Sequence, residues 1–310
     1  MKAISLDTYG PPEAFKLVEM PMPKIKANEV LVKNVVASIN PYDWMVRNGS
    51  MWFMAGFTFP KILGGETAGV ITEVGPAVKE FKVDDRVIVF LGRAGGYAEY
   101  VAVQESKVIP LPEEVTFSYG AALPIAGTTA LDALYELGKI KLGDHVLING
   151  AYGSVGSFAV QLAKSAGAHV TAVCSGVNFD GVKQLGADET IDYAKTNFLD
   201  NGKRYDIIFD TPSVLKFDDA KKSLKGNGML ISTLPSLLGM INMALNAVRK
   251  KKFKIIFADP TKPKILKLAQ WVREGKLNVI IDREYPLEKM AEAHRHSESK
   301  HAKGKIIVNF

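Results

Sequence analysis

Gly150, Gly153 and Gly156 recur at every third position directly after the apolar run Val146-Leu147-Ile148. A strand that turns sharply into a helix points backbone N–H groups and the positive end of the helix dipole at an anion, and glycines let a pyrophosphate approach the backbone closely. The chemistry this offers is dinucleotide binding. Gly-x-x-Gly-x-x-Gly departs from the usual fingerprint, in which one residue separates the first two glycines, so the strand-turn-helix context carries the reading more than the letters. A turn that merely tightens a βα connection is the competing interpretation. The candidate pyrophosphate site is Gly150, Ala151, Gly153, Ser154, Val155 and Gly156. The next expected strand, His169 to Val173, ends at Cys174 and Ser175, where an NAD-preferring site commonly offers an acid to the ribose. Without that carboxylate a 2′-phosphate meets no direct repulsion, and Ser175 and Asn178 can donate hydrogen bonds. NADPH is the expected cofactor and NADH stays open. Lys183 is a further charge partner or simply a surface lysine.

A second set of residues lies in the first third of the chain. The Asn40 amide offers a donor and an acceptor that can orient a carbonyl or a nicotinamide, or it caps the turn before Pro41. Asp43 reads as an organiser of that network or as a helix cap. Tyr42 and Tyr97 are candidates for relaying a proton through solvent, although free phenols are weak acids at neutral pH. Trp44, Met51, Trp52, Phe53, Met54, Phe57 and Phe59 form an aromatic, Met-rich interval suited to a flat conjugated substrate, or to an ordinary hydrophobic lid or core.

These residues must be positioned by two kinds of element. The first third alternates short β-rich segments (30–38, 69–74, 85–90, 98–103) with Pro and Gly punctuation. From Ala121 the pattern changes to a helix reaching about Leu137, the strand His145 to Asn149, a helix over Ser154 to Ala166, and further strands at 169–173, 189–191, 205–209 and 229–232. Helical stretches are expected at 182–185, 217–224 and 262–274, with strands at 254–257 and 304–308. Parallel strands covered by helices are expected in the middle of the chain, and an economical architecture returns the tail to the first domain.

Composition excludes several classes. With 310 residues and 47% hydrophobic residues the chain can bury two cores. A single cysteine, Cys174, excludes an intrachain disulfide framework and any zinc site built on two thiolates. His294, His296 and His301 crowd a polar C-terminal segment read as solvated surface, with a weak metal site as the alternative. A net charge of +6 favours anionic ligands without implying nucleic acid. The dense run Arg249-Lys250-Lys251-Lys252 with Lys254 reads as a solvated helix end. The charge-free stretch 228–248 is broken by polar residues and Pro235, which disfavours a spanning helix and leaves peripheral membrane contact open. No apolar leader is seen near Met1, and a cytoplasmic or other reducing soluble compartment is expected.

In order along the chain, Ser38-Ile39-Asn40-Pro41-Tyr42-Asp43-Trp44, Gly64-Gly65-Glu66-Thr67-Ala68-Gly69, Ala121 to Ala130, Ile148 to Gly156, Leu185-Gly186-Ala187-Asp188, Ile191-Asp192-Tyr193 and Gly304-Lys305-Ile306-Ile307-Val308 resemble the zinc-independent quinone oxidoreductase branch of the medium-chain dehydrogenase/reductase superfamily, near the chloroplast-envelope and enone-reductase members. The resemblance implies an α/β protein with a GroES-like β-rich catalytic domain (1–124 plus 260–310) and an inserted Rossmann domain (125–259), the active site lying in their cleft. It also implies NADPH-dependent reduction of small hydrophobic quinones or of enone C=C bonds, by a monomer or homodimer. Thr128, Tyr193, Thr233 and Phe257 are placed by it near the cofactor, and Glu66 near the catalytic end of the first domain. The zinc-binding cysteine and histidine of other members correspond to Asn40 and Gly65, so no metal is expected. Relatives often carry an arginine where Val177 stands, which points to modest NADPH selectivity. A nonenzymatic NADPH-binding interaction protein, or less favourably an alcohol dehydrogenase, remains as an alternative.

Overall fold

Two units divide the chain in the computed structural model, which describes residues 1–310 except for the side chain of Leu237. The first comprises Met1–Ile125, Pro260–Lys276 and Ile281–Phe310, and the second Ala126–Asp259 with Leu277–Ile280.

The first unit begins with β1 (Lys2–Leu6), β2 (Phe15–Glu19) and the long β3 (Glu29–Ile39), followed by α1 (Pro41–Arg47), α2 (Trp52–Ala55), β4 (Lys61–Ile62), β5 (Glu66–Val74), β6 (Arg86–Phe90), β7 (Tyr100–Gln104), β8 (Val108–Pro110) and α3 (Phe117–Ala122). β3 organises this unit. Val30 and Val32 enter one core with Ile71, Val87 and Val103, whereas Ala37 and Ile39 enter another with Ile4, Leu6 and Leu63. A strand alternates faces at every residue, so its even and odd positions reach opposite faces and can serve two cores. Register shifts against β5 occur at Leu31/Val32 and Asn34/Val36.

The second unit contains α4 (Thr128–Leu131), β9 (His145–Asn149), α5 (Ser154–Ser165), β10 (His169–Cys174), α6 (Phe179–Gln184), β11 (Glu189–Asp192), β12 (Tyr205–Asp210), α7 (Phe217–Ala220), β13 (Leu224–Ser232), α8 (Leu237–Ala244) and β14 (Lys252–Ile255). Its six strands pair in parallel in the order β11-β10-β9-β12-β13-β14. This is the doubly wound order, which reverses direction between β9 and β12. Val146, Leu147 and Ile148 are fully buried, as a central strand covered on both faces requires.

The chain then returns through α9 (Lys262–Arg273), β15 (Ile281–Pro286), α10 (Met290–Glu298) and β16 (Lys305–Asn309). β16 runs antiparallel to β3 and parallel to β15, so the last strand is an interior member of the first unit's seven-stranded sheet.

Several sequence expectations are corrected. The helix expected over 217–224 stops at Ala220, continues as a 3₁₀ turn over Lys221–Ser223, and Leu224 opens β13. The strand expected at 254–257 is β14, so Lys252 and Lys254 of the basic run are strand residues. The helix expected from Ala121 to Leu137 is interrupted by π-helical turns at Leu123–Gly127 and Asp132–Leu137. Leu277–Ile280 belongs with the second unit. Gln161 of α5 imitates a strand edge there: its Nε2 donates to Asn278 O (2.9 Å) and its Oε1 accepts from Asn278 N (2.7 Å).

Candidate active site

At the reversal point of the second unit, β9 ends in the glycine turn and β12 ends in Thr211 and Pro212. The two are laced together. Asn149 Nδ2 donates to Asp210 Oδ1 (2.9 Å), Leu215 N donates to Asp210 Oδ2 (2.6 Å), and Thr211 Oγ1 donates to Asn149 O (2.9 Å). Burial pushes the Asp210 carboxyl above its usual range. Gly150 adopts φ +75°, and a Cβ there would fall 2.5 Å from Thr211 Oγ1. A Cβ on Gly156 would collide with Gly150 O and lie 2.8 Å from Ala151 Cα. Both glycines are therefore demanded by the chain's own packing.

Gly153 is different. Its φ of −77° suits any residue, and a Cβ would meet only Gly150 O, at an ordinary 3.4 Å. Packing inside the chain does not demand a glycine here; glycine is a favoured N-cap for α5, and its bare backbone also leaves room for a ligand against the turn. The N–H groups of Gly150 and Ala151 donate to Val173 O and that of Gly153 to Gly150 O. The first-turn N–H groups of Ser154, Val155 and Gly156 have no intrahelical acceptor, and no side chain caps the helix. These three donors, at the positive end of α5, fit a pyrophosphate.

Around this turn the other expected cofactor residues take varied positions. Ala151 and Thr128 are buried, and Thr128 opens α4. Ser175 and Asn178 are half-buried, Ser175 preceding and Asn178 closing the 3₁₀ turn Gly176–Asn178 after β10. Val177 and Tyr193 are exposed, Lys183 is exposed on α6, and Phe257 is exposed beyond β14. Thr233 Oγ1 is held by Thr211 O and Ser213 Oγ, both at 2.8 Å. Sequence reasoning missed Asp192: paired with Cys174 across β10 and β11, it brings Oδ2 within 2.8 Å of where a Gly176 Cβ would sit. A carboxylate thus lies beside the turn after all. Burial, reinforced by Asp192, pushes the Cys174 thiol up to about 11, which makes it a poor nucleophile.

The first unit holds a buried polar cluster. Glu66 Oε1 accepts from Lys305 Nζ (2.6 Å), Asn40 Nδ2 (2.8 Å) and Ser38 Oγ, while Glu66 Oε2 accepts from Ile125 N (2.8 Å). That last N–H lies in the π turn Leu123–Gly127. Lys305 Nζ also donates to Asn40 Oδ1 (2.8 Å). Asn40 occupies the N-cap position of α1, in a capping box with Asp43, and its amide is also clamped between an ammonium and a carboxylate. Asp43 Oδ2 accepts from Asn40 N (2.8 Å) and Tyr97 OH (3.0 Å). Burial raises the Asp43 carboxyl to about 7 against those two donors, with nearby Glu66 adding to the shift.

Tyr97 is fully buried, with burial and Asp43 pushing its phenol well above its usual value. Its proton is committed to Asp43, so a relay from Tyr97 through solvent is not what the packing provides. Tyr42 is half-buried and its phenol is also raised, mainly by burial. His294 corrects the surface reading of the C-terminal histidines: it is fully buried, Nε2 lies 3.3 Å from Tyr97 OH, and burial followed by Arg47 pulls it down to about 3. His296 meets Asp282 at 2.9 Å. Trp52, Phe53, Met54 and Phe57 are exposed, whereas Met51 and Phe59 pack on the core.

A doubly wound sheet with an open helix start at its reversal point, carried on one chain with an antiparallel β unit, defines a nucleotide-binding protein of the two-domain dehydrogenase class. A family model described as the alcohol dehydrogenase GroES-like domain matches residues 26–113, and one described as zinc-binding dehydrogenase matches residues 185–308. The chain is 36% identical to the chloroplast envelope quinone oxidoreductase homolog of Arabidopsis thaliana, covering 99% of this chain and 98% of the relative. It is 32% identical to the chloroplastic NADPH-dependent alkenal/one oxidoreductase of the same plant, over 99% of this chain and 79% of the relative. The solved quinone oxidoreductase of Coxiella burnetii superposes with a TM-score of 0.90 at 31% identity, over 100% and 99% of the two chains. The chain belongs to the medium-chain dehydrogenase/reductase superfamily, in its zinc-independent quinone oxidoreductase branch.

Zinc, which one family description raises, does not fit the residues present. Lys305 already brings a cation to Asn40 and Glu66, and a Cβ on Gly65 would fall 2.5 Å from Gly92 O. Among the described residues no group of three or more His, Cys, Asp or Glu is arranged to hold a metal.

Proposed function

We propose that the protein reduces quinones, or the activated C=C bond of α,β-unsaturated carbonyl compounds, with NADPH as the electron donor. The observation that carries the reading is Gly153: a glycine that intramolecular packing does not require, beside three helix-start N–H groups left without internal acceptors. Relatives described as quinone and NADPH-dependent alkenal/one oxidoreductases support the substrate class.

NADPH, when bound, would supply a hydride for the electrophilic carbon of a quinone or enone, with negative charge gathering on the conjugated oxygen. The chain's contribution is binding and placement. Ser154, Val155 and Gly156 N–H hold the pyrophosphate, with Gly150 and Gly156 keeping α5 close to the turn. Ser175 and Asn178 donate at the ribose end. Asn40 is held rigid by Lys305 and Glu66, leaving one amide hydrogen to orient a carbonyl. Asp43 positions α1 through Asn40 N. Tyr42 is the half-buried phenol on this unit, although its raised pKa makes it a weak donor and leaves solvent as the main proton source. Trp52, Phe53, Met54 and Phe57 offer an apolar surface to a flat substrate. NADPH is preferred only modestly over NADH, because Val177 brings no cation and Asp192 brings a carboxylate to the ribose end. Cys174, buried and unreactive, suits a reducing compartment.

NADPH oxidation followed with a panel of quinones, enones and simple alcohols, with product identification, tests the reading. Turnover of quinones or enones is expected. Tight NADPH binding without turnover across the panel would favour a nonenzymatic binding protein, and preferential turnover of alcohols would displace the proposal.

A further inference from the structure

Tyr152 stands between Ala151 and Gly153 in a turn otherwise made of small residues. Its ring crosses from that turn to α6 and rests on Gly181. A Cβ on Gly181 would collide with Tyr152 Cζ and fall 2.5 Å from the hydroxyl oxygen and 2.6 Å from Cε2. Glycine inside a helix is destabilising relative to alanine, so a glycine at the third position of α6 marks a place where a side chain would be worse. The largest side chain of the turn and the missing side chain of α6 form one joint.

This joint lies at the ribose end of the site. Gly150 and Ala151 donate to Val173 O, which ties the turn to the end of β10, and Ser175 and Gly176 follow directly. Gly181 comes three positions after Asn178, and residues three apart share a helix face, so the phenol rests within one turn of the Asn178 amide. Neither Ser175 nor Asn178 spends its side chain on a cap. The Tyr152 hydroxyl is uncommitted as well: among the described residues it has no hydrogen bond within the chain, and the residue is half-buried. Three neutral donors thus gather here without a cation. Lys183 leaves α6 two positions past Gly181, about 200° round the helix and toward another face. The nearby charge is negative, since Asp192 Oδ2 lies 2.8 Å from where a Gly176 Cβ would sit. A 2′-hydroxyl can donate to that carboxylate, whereas a 2′-phosphate needs donors strong enough to offset it.

We propose that Tyr152 selects between the two dinucleotides: seated on Gly181, its O–H donates to the 2′-phosphate of NADPH. This role rests on the reading of the glycine turn as the pyrophosphate site. A hydrogen bond to a phosphate is charge-assisted and roughly twice as strong as one to a neutral hydroxyl, so the phenol favours NADPH over NADH without a cation at Val177. Packing on a bare glycine backbone fixes the ring before the cofactor arrives, and little side-chain freedom is lost on binding.

Calorimetric titration of the parent and of Tyr152→Phe with NADPH, NADH and 2′,5′-ADP tests the assignment. Tyr152→Phe keeps the ring on Gly181 and should leave the thermal melt unchanged. It should raise the dissociation constants of NADPH and 2′,5′-ADP about tenfold and that of NADH by less than about twofold. Gly181→Ala drives a methyl group into the ring. It should lower the preference for NADPH in the parent but not in Tyr152→Phe, where the hydroxyl is already gone. Equal changes in the NADPH and NADH constants of Tyr152→Phe, or no change in either, would overturn the role of the hydroxyl while leaving the pyrophosphate turn standing. A Gly181→Ala effect of the same size in both backgrounds would also overturn it, because the joint would then act through shape alone. Parent protein that binds neither dinucleotide would overturn the pyrophosphate turn itself, and this role with it.

Discussion

Replacing Gly153 with valine separates a ligand cradle from a mere turn. The backbone at 153 is extended and tolerates a side chain, and the nearest atom to a new Cβ is Gly150 O at 3.4 Å. The loss of a glycine N-cap should lower stability by only about 0.5–1 kcal/mol. A pyrophosphate lodged against the turn would instead meet two extra methyl groups. Overpacking of a filled site costs about 1–3 kcal/mol, which corresponds to a rise in the NADPH dissociation constant of about 5- to 150-fold. Calorimetric titration with NADPH, paired with a thermal melt, measures both quantities on the same sample. Gly156→Ala supplies the contrast, because its Cβ collides with Gly150 O and should damage the fold itself. A well-folded Gly153→Val protein that binds NADPH within about twofold of the parent would refute the cradle, since overpacking predicts at least about fivefold.

Other outcomes follow from the same geometry. Val177 is 81% exposed, so Val177→Arg should leave the fold intact and raise NADPH affinity relative to NADH by about 5- to 30-fold if the 2′-phosphate lies there, as paired titrations would read. Lys305→Met would strand the Glu66 carboxylate in the core and should cost about 3–5 kcal/mol in urea unfolding; adding Glu66→Gln should restore more than half. Between about pH 4 and 7 native Asp43 keeps a proton that the unfolded chain has released, so its contribution to stability falls as pH rises, by at most about 1.4 kcal/mol per pH unit. His294 works in the opposite sense, losing stability as pH falls from about 6.5 toward about 3, so the Asp43 effect is read as the difference between the parent and Asp43→Asn across that range. A difference that does not change between pH 4 and 7 would refute the raised carboxyl.

What the sequence revealed was local. The glycine turn, α5 and the parallel strands each announce themselves within a dozen residues through periodicity and punctuation. The Lys305–Glu66 pair does not, because its members are 239 residues apart and Lys305 reads as a polar position in a short terminal strand. His294 looked solvated because its neighbours Glu292, Arg295 and His296 are polar, yet α10 turns this one imidazole against Tyr97 and Phe15. Asp192 escaped notice because strand order, which no local pattern contains, brings β11 beside the end of β10.

The position of β16 also bears on biogenesis. Val308 and Asn309 fill the gap between β15 and β3, and Lys305 delivers the countercharge for Glu66, although Asn40 was made 265 residues earlier. On the ribosome, the nascent β3 must therefore wait with one edge partly unpaired and a carboxylate awaiting its cation until the last strand emerges. Likewise α5 cannot engage Asn278 through Gln161 until well after the glycine turn has been synthesised. Chaperones that shield strand edges should accordingly matter more for the yield of this protein than for its stability once made.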